Sequence, residues 1–193
     1  MLQTETAPGA NDDGSGIAML LEMARVTRES GATYEYSLMI CAFSAEEQGL
    51  FGSTAVAQRM KDDGEEIIAM YAADMIGYRV PGRNLQVGLP IVYHTPALTD
   101  LAETVMNLYV PDMETCEYTG CCTDNKPFYD AGFPNSRFFE ACGALDDPQY
   151  HTPEDAFPRE GFGDEENPIS STLTHVTRGI LATLWTLLKP SLE

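Results

Sequence analysis

Acidic side chains in this sequence stand where apolar runs end and where loops enter helices. Asp12 lies in a glycine-rich turn before a predicted helix, Glu46 and Glu47 follow one apolar run, and Asp74 follows another. Ligands of α/β sheets bind beyond the carboxyl ends of the strands, so these carboxylates are predicted to converge. His151 adds an imidazole, and carboxylates with a neutral imidazole are zinc ligands. Each residue alone is more often a helix cap or solvated surface, but together they favour a metal site.

The elements that must position these side chains alternate along the chain. The four apolar runs 36–43, 67–73, 85–92 and 135–139 predict strands, the first two of them buried. Helical spacing predicts helices over 15–28, with Ser15 as N-cap, and over 50–60, 97–109, 125–130 and 169–188. Alternation of strand and helix predicts one α/β domain, a catalytic unit spanning 1–193.

Composition excludes several classes of partner. The chain has 193 residues and a formal net charge of -19, which disfavours nucleic acids and anionic membranes as partners. No stretch approaches the roughly 18 uninterrupted apolar residues of a membrane span. Neither a signal peptide nor an oligomeric state is indicated by the sequence.

One of the five cysteines lies far in sequence from the other four. Cys41 lies in an apolar run and is predicted to be a buried thiol. Cys116, Cys121, Cys122 and Cys142 stand close together in loops, which predicts local disulfides and an oxidising compartment, either extracellular or secretory and lysosome-like. A zinc knuckle is disfavoured because the sequence has no Cys-x-x-Cys pair.

Four segments together resemble the zinc aminopeptidase family of the bacterial leucyl aminopeptidase type. They are 7–16 (APGANDDGSG), 44–53 (SAEEQGLFGS), 73–78 (ADMIGY) and 150–155 (YHTPED), in the order of the family's motifs. The resemblance implies a mixed, mostly parallel, twisted sheet between helices. It also implies a metal-dependent aminopeptidase that releases N-terminal residues from peptides with a free N-terminus, using metal-activated water.

The resemblance assigns roles to the clustered residues. Asp12 is expected to bridge two zinc ions, Glu47 and His151 to complete one site, and Asp74 to bind the second ion. Glu46, beside a ligand but not itself one, is expected to be the general base. The peptide bond between Asp12 and Asp13 is expected to be cis.

One family feature is missing from this sequence. Relatives have a histidine ligand of the second metal on a strand upstream of the bridging aspartate, whereas no histidine precedes Asp12 here. We therefore expect the chain to lack N-terminal strands, to hold one zinc or a partial complement, and to have weak or no activity by itself.

Further residues match positions that contact substrate in the family. Met75, Arg137, Phe139 and Tyr150 correspond to the side-chain pocket, where Arg137 either supplies a pocket cation or points to solvent.

The cysteine-rich loop also matches the family. The resemblance places Tyr118 over the site, pairs Cys116 with Cys122 or Cys121, and has Thr123 hydrogen-bonding the metal-binding histidine.

Two other functions fit the same residues. A glutaminyl cyclase-like acyltransferase of the same superfamily would use a single zinc held by Asp12, Glu47 and His151. A receptor-type ectodomain would keep the fold without catalysis, but the retained Glu46 and Asp74 argue against it.

Overall fold

The computed structural model describes residues 8–163 and 171–191, in which helices and short strands alternate. In chain order the elements are α1 (Gly14–Glu29), β1 (Thr33–Tyr34), α2 (Phe51–Asp62), β2 (Met70–Ala73), β3 (Gln86–Pro90), α3 (Pro96–Tyr109), β4 (Glu114–Tyr118), α4 (Asn125–Ala131), β5 (Asn135–Phe138), α5 (Thr172–Leu188) and β6 (Pro190–Ser191). The predicted helices all form, although 169–170 lie outside the described residues. None of these helices is long and apolar enough to cross a membrane.

Four strands form the layer that carries the site. β2 pairs with β5 and β3 pairs with β4, both in parallel. Gly88 and Phe139 exchange two backbone hydrogen bonds of 2.7 and 3.0 Å, which join β3 to the end of β5 in antiparallel fashion. The order β2-β5-β3-β4 is therefore a mixed, mostly parallel arrangement, as predicted. A side chain at Gly88 would overlap the Ala141 carbonyl oxygen, so this close approach requires glycine.

Apolar side chains from helices and strands pack into one main core. Met23 of α1, Met106 of α3 and Ile180 of α5 are buried together with Val87 and Phe138 of the sheet. Packing on the sheet explains why the 3.6-residue apolar spacing was a reliable guide to these helices.

The residue that caps helix α1 lies in the loop before it. Asp13 is the N-cap, because its Oδ1 accepts a hydrogen bond of 3.1 Å from the backbone N–H of Gly16. The prediction of Ser15 as cap is wrong by two residues. Ser15 lies inside the helix, where its hydroxyl donates to the Asn11 carbonyl at 2.7 Å.

The predicted buried strand 36–43 is not formed among the described residues. The segment has no regular secondary structure, and Met39 is 66% exposed. Cys41 is only partly buried, so its prediction as a core thiol is also wrong. The segment lines a groove of about 440 Å³ that faces β2, and β2 has a ladder partner only in β5 among the described strands. An apolar run becomes a buried strand only where a neighbouring strand pairs with its backbone.

One strand of the layer was missed from the sequence. β4 has only Tyr118 buried, and its two glutamates obscure the apolar pattern. Its pairing with β3 supplies the backbone hydrogen bonds that the side chains do not predict.

The same strand explains the disulfides, which differ from the predicted pairing. Gly143 N–H donates to the Glu117 carbonyl at 2.9 Å, which brings Cys142 beside Cys116 with a Cα–Cα distance of 5.5 Å. Cys116 is bonded to Cys142, and Cys121 is bonded to Cys122. All four cysteines that were predicted to form disulfides do so.

Removal of the longer bridge should destabilise the fold. We expect Cys116→Ala combined with Cys142→Ala to lower the free energy of unfolding by about 2–4 kcal/mol, because the bridge restricts the unfolded chain. Chemical denaturation measures this, with Cys41→Ala as control because Cys41 is free. Equal losses in the two proteins would contradict the pairing.

Candidate metal centre and active site

Three side chains from three loops form a compact group of metal donors. Nε2 of His151 lies 2.8 Å from Oε1 of Glu47 and 3.3 Å from Oδ2 of Asp12. The three donor atoms lie within 4.8 Å of one another, close enough to share one ion. These are the three residues that the sequence assigned to the first zinc, and their ligand roles remain a prediction.

Asp74 and Glu46 line the same cavity as Asp12 and Glu47. Asp74 follows β2, and its Oδ2 accepts a hydrogen bond of 2.6 Å from the Thr123 hydroxyl. The prediction that Thr123 bonds the metal-binding histidine is therefore corrected, because the hydroxyl orients a carboxylate instead. Glu46 lies beside Glu47 on the cavity wall, outside the compact donor group.

The carboxylates of the site raise one another's pKa. Burial, followed by the charges of Asp74 and Glu47, raises the pKa of Asp12 to about 8. The same three causes raise the pKa of Glu46 to about 7, and burial raises that of Asp74. Concentrated negative charge of this kind is relieved by a bound cation, which stabilises the ionised forms.

Strained backbone occurs in each loop of the site. Ala45, Met75 and His151 have φ values of 57°, 56° and 58°, in the left-handed region that disfavours residues with a side chain. Each of them is a site residue or the neighbour of one. Such conformations persist where the surroundings impose them, typically at functional sites. The peptide bond between Asp12 and Asp13 is cis, as predicted.

A buried carboxylate holds the loop that presents Asp12. Asp155 accepts hydrogen bonds from the backbone N–H groups of Asn11, at 3.0 and 3.1 Å, and of Asp12, at 3.0 Å. Because Asp155 is four residues beyond His151, one loop carries a metal donor and also positions another.

The Asn11 side chain extends this support deeper into the protein. Its amide donates to Glu140 and Asp147, and its oxygen accepts from Gly77 N–H at 3.0 Å. Arg159 pairs with Asp147 at 2.5 Å and with Asp155 at 3.0 Å. Sequence reasoning missed this network. Its one visible signal was Asp155 within the motif 150–155.

The predicted pocket residues all line the cavity. These residues are Met75, Tyr118, Arg137, Phe139 and Tyr150. The cavity is also lined by Cys121, Cys122 and Leu145, which the sequence did not indicate as pocket residues. The rings of Tyr118 and Phe139 stack with centroids 4.1 Å apart. Arg137 is 5% exposed, which excludes the alternative that it points to solvent.

The chain is similar in sequence to known proteins. Residues 3–162 match the sequence model of peptidase family M28. Leucine aminopeptidase 1 of Fusarium vanettenii is 34% identical over 160 residues, covering 77% of this chain and 40% of the fungal protein. The chain therefore spans about two fifths of that relative's length.

Solved structures show the same fold. The LapA aminopeptidase of Legionella pneumophila matches with a TM-score of 0.85 and 25% identity, covering 97% of this chain and 48% of the other. A glutaminyl cyclase from an Acidobacteriales bacterium matches with a TM-score of 0.65 and 20% identity, covering 94% of this chain and 62% of the other. At that identity the cyclase shares the fold alone.

The raised pKa values predict how stability depends on pH. A folded-state pKa near 8 for Asp12, against 3.8 ordinarily, means that the folded protein binds the extra proton. This stability is complete below about pH 4 and is lost as pH rises through about 8. We expect the melting temperature of the metal-free protein to fall from pH 5 to pH 8.

Zinc should oppose that fall, because it competes with protons for the same oxygens. Asp12→Asn should flatten the pH dependence without zinc. A melting temperature of the metal-free protein that rises over this range would contradict the charge crowding.

Proposed function

The chain belongs to peptidase family M28, and from that membership we propose that it forms the catalytic part of a zinc aminopeptidase. The proposed reaction is metal-dependent release of N-terminal amino acids from peptides. The observation that carries the proposal is the convergence of Asp12, Glu47 and His151. Two of these donors, Asp12 and Glu47, line one cavity with Glu46. The relatives named as leucine aminopeptidases support it.

The donor set suits zinc. Two carboxylates and one imidazole make three protein ligands, which is the number that catalytic zinc sites use while keeping a position open. Zinc held there would polarise the scissile carbonyl and activate water. Among residues 8–163 and 171–191, Asp12, Glu47 and His151 are the one group of His, Cys, Asp and Glu donors compact enough for this.

A second ion would have fewer ligands in this part of the chain. Asp12 has two oxygens and can share them between two cations, and Asp74 supplies one more carboxylate from the same cavity. Two carboxylates are fewer than the usual three protein ligands, so we propose one fully held zinc and a partly occupied second position.

Glu46 is positioned for proton transfer. Glu46 lines the cavity next to Glu47 without belonging to the three-donor group, so its carboxylate is left to accept a proton. In the proposed reaction Glu46 takes the proton of the water that attacks the scissile carbonyl, and then gives it to the leaving amine. Tyr118 and Tyr150 line the cavity around the substrate.

The disulfides indicate the compartment in which the protein works. We infer that the protein works in an oxidising compartment, extracellular or secretory, because four of its five cysteines are disulfide-bonded.

Neighbouring glutamates should respond differently to substitution. In the complete protein, Glu46→Ala should lower turnover of a leucyl peptide by about 10²–10⁴-fold and leave zinc content intact, because a general base contributes that much. Glu47→Ala should lose zinc. Metal analysis beside steady-state kinetics measures both effects, and equal zinc loss in the two variants would reverse the assignment.

Zinc titration tests the ligand count. We expect this chain to bind one equivalent of zinc tightly and a second only weakly. His151→Ala should abolish the tight binding, whereas His94→Ala is a control because His94 bonds Thr99 outside the donor group. Two tight equivalents in the unmodified chain would refute the missing-ligand argument.

The alternative function is that of a glutaminyl cyclase-like acyltransferase with a single zinc, and the three-donor group also suits that function. A peptide with N-terminal glutamine separates the two reactions by mass spectrometry. The aminopeptidase releases free glutamine and shortens the peptide by one residue, whereas the cyclase leaves its length unchanged and removes ammonia. Neither product in the zinc-loaded complete protein would favour the non-catalytic ectodomain.

A further inference from the structure

Arg137 is a buried cation in the wall of the substrate cavity. It stands on β5, pairs across the sheet with Ala72, and is only 5% exposed. Its guanidinium lies over the Tyr118 ring at 4.8 Å from the centroid, and Nη2 donates to the Gly120 carbonyl. The charge is thus held inside the protein by an aromatic face, one neutral acceptor and the more distant charge of Asp74, which lines the same cavity.

This guanidinium lacks a partner that matches its charge. Among the described residues, no carboxylate oxygen lies within 4.0 Å of Arg137. Nε is buried and has no hydrogen-bond partner. Buried polar groups are nearly always hydrogen-bonded, and an arginine fork suits a carboxylate that accepts two bonds. Arg159, by contrast, is paired with both Asp147 and Asp155.

The surroundings of Arg137 are apolar on the side away from the metal donors. Met75 and Phe139 are 3% and 7% exposed, and both line the cavity with the guanidinium. Water is largely kept from this part of the wall, so a salt bridge formed here is screened little by solvent. The same cavity continues to Asp12 and Glu46, where the proposed reaction takes place.

We propose that Arg137 makes this cavity selective for peptides whose N-terminal residue is acidic, by pairing its guanidinium with the side-chain carboxylate of aspartate or glutamate. The proposal rests on the aminopeptidase function above. Met75, Tyr118 and Arg137 line the same cavity as Asp12 and Glu46. In the proposed complex the scissile carbonyl lies at Asp12, and the first side chain of the substrate therefore lies close to Arg137.

The attraction is local to the pocket. A net charge of -19 repels acidic peptides at long range, but ions screen such repulsion beyond about 8 Å at physiological ionic strength. Selectivity should therefore appear in the bound complex and survive moderate salt.

The first test compares two substrates of nearly identical shape. The zinc-loaded complete protein is given glutamyl and glutaminyl 7-amido-4-methylcoumarin, with the leucyl compound as reference. We expect kcat/KM to be roughly 10–100-fold higher for the glutamyl than for the glutaminyl substrate, the range of a charge-assisted hydrogen bond. A glutamyl-to-glutaminyl ratio of one or less overturns the proposal.

Substitution identifies the residue responsible. Arg137→Met should bring the ratio to one or below, and Arg137→Lys should keep part of it, because lysine retains the charge without the fork. Arg25→Met is the control, since Arg25 is an exposed arginine of α1 paired with Glu22 and Glu29. A ratio unchanged in Arg137→Met would overturn the proposal and leave Arg137 as a support of the loop at Gly120.

A binding measurement separates this proposal from the aminopeptidase function. Isothermal titration with free L-glutamate and L-glutamine requires no turnover. Tighter binding of glutamate that is lost in Arg137→Met and kept in part in Arg137→Lys supports the acidic pocket. Hydrolysis of the leucyl substrate without any preference for glutamate would overturn the pocket but not the aminopeptidase. Absence of all hydrolysis would overturn the aminopeptidase, and titration would then decide the pocket by itself.

Discussion

Crowded negative charge is the constraint on which this structure depends. Asp12, Glu46, Glu47 and Asp74 face one cavity, although carboxylates repel one another and lose hydration when buried. A fold that brings such groups together is stable only when protons or cations compensate the charge. A bound cation, as in the proposed zinc site, would provide this compensation.

Hydrogen bonds to the backbone hold the loop that carries Asp12. Asp155 fixes the backbone of Asn11 and Asp12, and Asn11 is in turn anchored to Glu140 and Asp147 in the interior. Residues with a left-handed backbone conformation lie in the other loops of the site. Because these supports are buried and hydrogen-bonded, they hold the loop of Asp12 in place.

Arg159 and Arg137 meet different charges. Arg159 compensates the supporting acids, and both of its carboxylate partners are themselves buried. Arg137 lines the cavity with no carboxylate partner among the described residues, so its charge is available to what enters. The same side chain therefore contributes stability in one place and recognition in the other.

The sequence by itself determined the chemistry of the site and most of its frame. The acidic motifs identified Asp12, Glu46, Glu47, Asp74 and His151, because the donor types and their places after strands or in turns are local properties. Helical spacing located α1, α2, α3, α4 and α5, since an amphipathic face repeats every 3.6 residues.

Tertiary structure alone decided the features that depend on distant partners. Cys116 bonds Cys142 because β4 is paired with β3 and reaches Gly143, which no spacing of cysteines indicates. Segment 36–43 has no ladder partner within residues 8–163 and 171–191, because a strand needs a neighbour as well as apolar residues. Thr123 bonds Asp74, and Arg137 faces the cavity, because side-chain direction is fixed by packing between elements far apart in sequence.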